Sequence, residues 1–199
     1  MNRFARATAL GATLALMVAM VTGPQNAQAF DDAKEVKKAQ QDILDLAKKV
    51  ADGKDVSKEA ADIKKKYEEL NTVMHAYKPS TKGGIGTGLE PKAGDGIEIK
   101  VINLGKRALT SAALAKEKEA LVKVAYINAA IADITHAYAP AKPKGGKGAK
   151  EWKQFCEEMK KSSLDLAKAV EAGDTAKIKA AANNLNNSCN NCHSDFRDS

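Results

Sequence analysis

The chain has 199 residues, with 32 Lys and Arg against 25 Asp and Glu, and its formal net charge is +7 at pH 7. This length is one domain's worth and is long enough to bury a real core. Most lysines are interleaved with acids, as on the solvated face of a helix, and no basic block alternates with aromatic residues. We therefore expect no binding to nucleic acid.

The first 29 residues have the three parts of a secretory signal peptide. Two arginines precede an apolar run at residues 7–21, and a small-residue Ala-Gln-Ala sequence ends at position 29. The apolar run is shorter than the roughly twenty residues that a membrane-spanning helix needs. We expect a soluble, exported, periplasmic protein that begins near Phe30 and has no transmembrane segment. Removal of the two arginines and no acid lowers the net charge from +7 to +5.

The mature chain, residues 30–199, is predicted to be a single all-α domain, because it is rich in Ala, Lys, Glu and Leu. Its Gly and Pro clusters, at 79–96 and 140–148, fall between periodic segments. Three helical hairpins remain, at about 33–78, 97–139 and 150–198. Since no Gly or Pro marks a turn between Thr110 and Lys118, the second hairpin is either two helices or one long helix.

Heptad-like spacing predicts which face of each helix points inward. The third helix continues its stripe through Val101, Leu104 and Ala108. The stripe of the last helix comprises Ile178, Ala182, Leu185, Cys189, Cys192 and Phe196. Both cysteines near the end of the chain are therefore predicted to face the core.

Those cysteines belong to the sequence Cys189-Asn-Asn-Cys192-His193, which is the attachment pattern of haem c. On a helix, two residues three positions apart share a face, so both sulfurs can reach the vinyl groups of one porphyrin. The adjacent imidazole suits an axial ligand of iron.

A dithiol redox pair and half of a zinc site are the competing interpretations of two such cysteines. A redox pair of the thioredoxin type normally follows a β-strand, and no strand pattern lies near these cysteines. A zinc site requires two further ligands, for which the chain offers only Cys156, His75 and His136.

The end of the chain resembles a known family. Residues 187–197 read Asn-Ser-Cys-Asn-Asn-Cys-His-Ser-Asp-Phe-Arg, and they follow a helix that begins Glu-Trp-Lys-Gln-Phe at 151–155 and a turn Ala-Gly-Asp at 172–174. This arrangement resembles the class II cytochromes c, the group of cytochrome c′ and cytochrome c-556. Most c-type cytochromes of the other large class carry the motif near the N-terminus. The resemblance covers about residues 149–199.

The resemblance implies an antiparallel four-helix bundle with the haem at one pole, on the C-terminal helix. It implies one covalent haem c, bound by Cys189 and Cys192, with His193 as the proximal ligand of iron. Arg197 matches a basic residue that the family places near the haem. We add Phe196, from the inward stripe, to the cofactor-binding residues.

Six predicted helices exceed the four of the family. Either the last four form the bundle and the first hairpin is an addition, or a long 97–139 helix brings the N-terminal helices into the bundle. The resemblance implies an apolar distal face, for which Ile43, Leu46 and Leu104 are candidates. Met74, His75 and His136 are alternative sixth ligands, and Cys156 is expected to be a buried free thiol.

We expect an electron-transfer protein. An enzyme is disfavoured, because no acid and base pair lies near the motif. Its partners are expected to be other exported redox proteins. The alternative is a five-coordinate haem protein that binds nitric oxide or carbon monoxide at an apolar distal face. The family often dimerises through its first two helices, so a homodimer is open to this chain.

Overall fold

The computed structural model describes residues 25–88, 92, 94–143 and 146–197, with side chains from residue 33 onwards. The predicted signal peptide lies outside the described residues as far as residue 24. Within the described part, seven α-helices and two short 3-10 turns form the regular structure. The all-α prediction is confirmed.

The helices are α1 (Gln25–Ala51), α2 (Ser57–Lys66), α3 (Leu70–Met74), α4 (Ile97–Lys106), α5 (Ser111–His136), α6 (Ala149–Ala172) and α7 (Thr175–Phe196). The 3-10 turns are His75–Tyr77 and Ser80–Lys82. Helix α1 runs across the predicted cleavage point after residue 29, so removal of the signal peptide would leave its residues 30–51.

The second predicted hairpin, which the sequence left as either two helices or one, consists of two helices, α4 and α5. The backbone at Arg107 is extended, with φ −132° and ψ 130°. Thr110 then caps α5, because its hydroxyl oxygen accepts a hydrogen bond from the backbone N–H of Ala113 at 3.2 Å. Ala108 lies in this link and is exposed, so its predicted place on an inner stripe was wrong.

The turn between α6 and α7 has clear local causes. Gly173 adopts a left-handed conformation at φ +74°, which glycine accepts without steric cost. The next residue, Asp174, accepts a hydrogen bond from the backbone N–H of Lys177 at 3.0 Å and so starts α7. Helices α6 and α7 therefore form a tight hairpin that carries the cysteine motif at its far end.

The long helices pack in a closed ring. Helix α6 packs against α5 and α7, while α4 packs on α7. Helices α1 and α2 pack on α5, and α3 packs on α1. The turn His75–Tyr77 contacts α4 and so closes the ring. The N-terminal helices therefore share the core with the C-terminal ones.

The core consists of aliphatic side chains from every long helix, including Ile43, Leu121, Ile131, Leu166 and Leu185. A hydrogen bond joins the ends of α2 and α5. The hydroxyl of Tyr138, two residues after α5, donates to the carbonyl oxygen of Tyr67, the first residue after α2. None of the helices in the described part of the chain combines the length and the apolar character that a membrane span requires.

Candidate functional site

The last two turns of α7 carry the predicted haem motif. The predicted stripe is buried at Ile178, Ala182 and Leu185 and half-buried at Cys189, Cys192 and Phe196. His193 is exposed. The helix thus turns both thiols towards the bundle and leaves the neighbouring imidazole at its surface.

Both thiols of the motif are free and protonated at neutral pH. Burial, followed by the neighbouring Cys192, raises the pKa of Cys189 to about 11. Burial, followed by the carboxylate of Asp195, raises the pKa of Cys192 to about 11. Lys147 lies 3.3 Å from that carboxylate and ties the loop before α6 to the end of α7.

The imidazole of His193 is biased towards its neutral form. Although the residue is exposed overall, partial desolvation of the ring and then the positive charge of Arg197 lower its pKa from 6.5, and the carboxylate of Glu98 opposes them. A neutral imidazole is the form that binds a metal. Glu98 lies in the first turn of α4, so α4 brings a carboxylate to this end of α7.

Arg197 is the first residue after α7. Its backbone is extended and its N–H donates to the carbonyl oxygen of His193 at 3.0 Å. Its side chain is exposed and does not belong to the core, so it acts on the site through its charge.

An aromatic cluster surrounds Phe196. Its ring lies edge-on to Trp152 at 5.1 Å between centroids and to Phe155 at 6.4 Å. Trp152 is fixed in turn, because its indole N–H donates to the carbonyl oxygen of Thr135 at 2.7 Å. The start of α6 therefore forms an apolar wall beside the motif.

A third thiol, Cys156, lies one turn further along α6 and is 4% exposed. Burial and then the neighbouring Cys192 raise its pKa to about 12. Cys156 is a buried free thiol, as we expected from the sequence. No group of three His, Cys, Asp or Glu side chains in the described part of the chain is placed to hold a metal ion.

Sequence reasoning missed a hydrogen bond near the motif between the half-buried Tyr77 and the buried Asn128. The hydroxyl of Tyr77 donates to Oδ1 of Asn128 on α5 at 3.0 Å. Burial and the nearby Cys189, Glu98 and Cys156 raise the pKa of Tyr77 well above its ordinary value. The sequence signal that could have indicated this pair is Asn128, which lies inside an apolar helical run. A buried amide needs a hydrogen-bond partner.

The three alternative sixth ligands lie in different local settings. Nε2 of His75 accepts a hydrogen bond from Nζ of Lys78 at 2.9 Å, and its pKa is lowered by burial and then by that ammonium group. Met74 packs against the core, and His136 is half-buried at the end of α5. The apolar distal candidates Ile43, Leu46 and Leu104 are all buried. Their role at a distal face stays a prediction.

The residues present fit a covalent haem. Two free thiols share one half-buried helical face, an imidazole biased towards neutrality follows directly, and aromatic rings form a wall beside them. An all-α fold with this motif on its last helix is the arrangement expected of a helical c-type haem protein.

Residues 105–197 match the family model of cytochrome c′, and this match supports an assignment to the class II cytochromes c. The match contains α5, α6, α7 and the cysteine motif. Searches of curated proteins and of solved structures found no match. The family match supports a c-type haem protein, and haem c is the cofactor that the family implies.

Proposed function

We propose that this protein is a periplasmic electron carrier with one haem c, bound through thioether bonds to Cys189 and Cys192. His193 is the proximal ligand of iron, and Phe196 and Arg197 border the cofactor. The bound haem supplies an iron atom that changes between the ferrous and ferric states. The observation that carries this proposal is the shared half-buried face of the two free thiols.

Each residue has a defined task in this proposal. The thiols hold the cofactor and are consumed in doing so, which leaves Cys156 as the one free thiol. His193 is presented without a proton on one ring nitrogen, since partial desolvation of the ring and the positive Arg197 lower its pKa and disfavour the imidazolium form. Trp152 and Phe196 exclude water from one side of the motif.

The surface position of the motif favours electron transfer. His193 is exposed and the cysteines are half-buried, so the site lies at the edge of the bundle where a partner protein can approach. The family is generally one of non-enzymatic haem proteins. Other exported redox proteins are the partners we propose.

Export is part of the same proposal. Members of the family are typically periplasmic, and residues 1–29 have the composition of a secretory signal peptide. The expected result of N-terminal sequencing of the purified protein is a start near Phe30. A chain that keeps residue 1 and remains in the cytoplasm contradicts export.

The first experiment is the optical absorption spectrum of the purified protein, oxidised and reduced, with and without carbon monoxide. We expect a Soret band that stays with the chain after denaturation, and sharp α and β bands that carbon monoxide leaves unchanged. A broad spectrum that shifts with carbon monoxide contradicts the electron carrier and favours the gas-binding alternative. A spectrum without a Soret band contradicts the haem protein itself.

Matched variants locate the attachment. In Cys189→Ala/Cys192→Ala the Soret band is expected to be lost from the denatured chain, whereas Cys156→Ala keeps it. Thiol titration of the denatured wild type should find one reactive cysteine. Three reactive cysteines in a haem-containing sample contradict thioether attachment.

A further inference from the structure

The half-buried side chain of Tyr77 reaches from the turn after α3 to α5. Tyr77 ends the turn that follows α3, and its hydroxyl reaches Oδ1 of Asn128 on α5 at 3.0 Å. Its backbone lies against the start of α4, because a Cβ built at Gly96 would be 2.9 Å from the carbonyl oxygen of Tyr77. The phenol therefore spans the space between the start of α4 and the middle of α5.

Asn128 fixes the direction of this hydroxyl. The residue is 1% exposed, and its Nδ2 donates to the carbonyl oxygen of Val124 at 2.8 Å. Its Oδ1 is thereby left to accept the proton of Tyr77. A buried amide without such a partner would be costly, so the pair forms a rigid unit.

The start of α4 lies at the motif end of α7. Gly105, near the end of α4, packs against Asn183 of α7. The first turn of α4 contains Glu98, whose charge acts on Cys189 and His193, which lie further along α7 than Asn183. The two helices are therefore antiparallel, and Tyr77, which touches the start of α4, is brought to the level of Cys189.

We propose that Tyr77 contacts the haem attached at Cys189 and that its hydroxyl, oriented by Asn128, lowers the reduction potential of the iron. This inference rests on the proposed function. The hydroxyl of Tyr77 donates its proton to Asn128, so the negative end of the O–H dipole faces away from Asn128. A nearby negative end favours the ferric state, which carries one more positive charge. Tyr77 lies outside the segment that matches the family model.

The test is Tyr77→Phe, which keeps the ring and removes the hydroxyl. We expect an upward shift of the reduction potential and a changed resonance Raman spectrum of the haem, with covalent attachment intact. The matched control is Tyr138→Phe, because that hydroxyl binds the carbonyl oxygen of Tyr67 and the raised pKa of Tyr138 has causes in burial, Glu69 and Glu35. The control should lose stability and keep the wild-type potential.

A purely structural role for Tyr77 predicts a different pattern. Both variants would then melt at lower temperature, and neither would move the potential. A Tyr77→Phe potential equal to that of the wild type, or an equal shift in Tyr138→Phe, overturns the inference. If the wild type itself lacks covalent haem, the proposed function fails first and this inference fails with it.

Asn128→Leu tests the orienting step. It removes the acceptor and fills the space with an apolar side chain, so the hydroxyl of Tyr77 is free to turn. We expect the potential to move in the single variant, and Tyr77→Phe/Asn128→Leu to match Tyr77→Phe. Strictly additive shifts overturn the coupling between the two residues. If Asn128→Leu does not fold, Tyr77→Phe and its control decide the inference alone.

Discussion

Gly105 of α4 lies directly against Asn183 of α7. A Cβ built at Gly105 would be 3.2 Å from both the Cα and the backbone nitrogen of Asn183. The neighbour is the backbone of a long helix, which cannot move aside as the end of a flexible side chain can. Glycine thus allows α4 to approach α7 closely and hold Glu98 near His193.

We expect Gly105→Leu to destabilise the protein by roughly 1–3 kcal/mol, the usual range for overpacking a well-packed contact. The reason is that the new side chain must push α4 away from α7. The measurement is guanidinium-induced unfolding followed by circular dichroism at 222 nm, a far-UV wavelength that reports helix content.

Asn103→Leu is the control, since Asn103 lies on the same helix and is exposed. Exposed substitutions usually change the free energy of unfolding by no more than about 0.5 kcal/mol. Equal unfolding midpoints for the two leucine variants would show that α4 does not approach α7 as described.

The fluorescence of Trp152 offers a direct check on where the haem lies. It is the single Trp of the chain, and its ring lies 5.1 Å from that of Phe196, beside the motif. We expect its emission to be strongly quenched in the haem-loaded protein, because energy transfer to a porphyrin is efficient at short distance. Unfolding the loaded protein should restore part of the emission.

The haem-free variant Cys189→Ala/Cys192→Ala is the reference for this measurement. Its folded state should emit strongly, at the short wavelength of an indole that is 8% exposed. Equal emission from the folded loaded and haem-free proteins would place the cofactor away from the start of α6.

The sequence predicted the features of this protein that depend on local pattern. The turn at Gly173 and Asp174 and the cysteine motif of α7 are specified by adjacent residues, and they lie where the pattern indicated. The break between α4 and α5 was left open, because its signal is the single cap at Thr110 and not a Gly or Pro. The Tyr77 to Asn128 hydrogen bond was beyond prediction, since it joins residues 51 positions apart. Periodicity shows which face is buried and not which helix covers it.

The reactivity of Cys156 should depend steeply on pH. Burial raises its pKa to about 12 from the ordinary 9.0, and its reactive form is the thiolate. In the folded, haem-loaded protein we expect slow alkylation by iodoacetamide at pH 8 and a rise of about tenfold per pH unit. Unfolding at pH 8 should speed the reaction at least about a hundredfold, because both the pKa shift and the steric cover are lost.

Cys156→Ser provides the blank for this experiment, since the loaded variant should contain no alkylatable thiol. Mass spectrometry of the labelled peptide identifies the modified residue. Rapid labelling of folded wild type at pH 8 would show that Cys156 is accessible and that α6 does not bury it.

The charge balance at His193 gives a prediction whose sign can be tested from both sides. Burial and Arg197 lower its pKa from 6.5, whereas Glu98 raises it. In the haem-free Cys189→Ala/Cys192→Ala background, Arg197→Gln should therefore raise the pKa, and Glu98→Gln should lower it further. The measurement is an NMR titration of the His193 ring protons, with His75 as an internal reference that neither substitution touches.

The same shift has a consequence for the stability of the haem-free protein. A lowered pKa means that the folded state binds fewer protons than the unfolded state, so the free energy of unfolding rises with pH. Stability from this group is present above pH 6.5 and is lost as the pH falls through 6.5 towards the lower pKa of the folded state. Arg197→Gln should flatten this dependence and Glu98→Gln should steepen it, in thermal melts taken between pH 5 and pH 8. Changes of the same sign in the two variants would show that neither charge acts on His193, and that α4 does not bring its first turn to the motif.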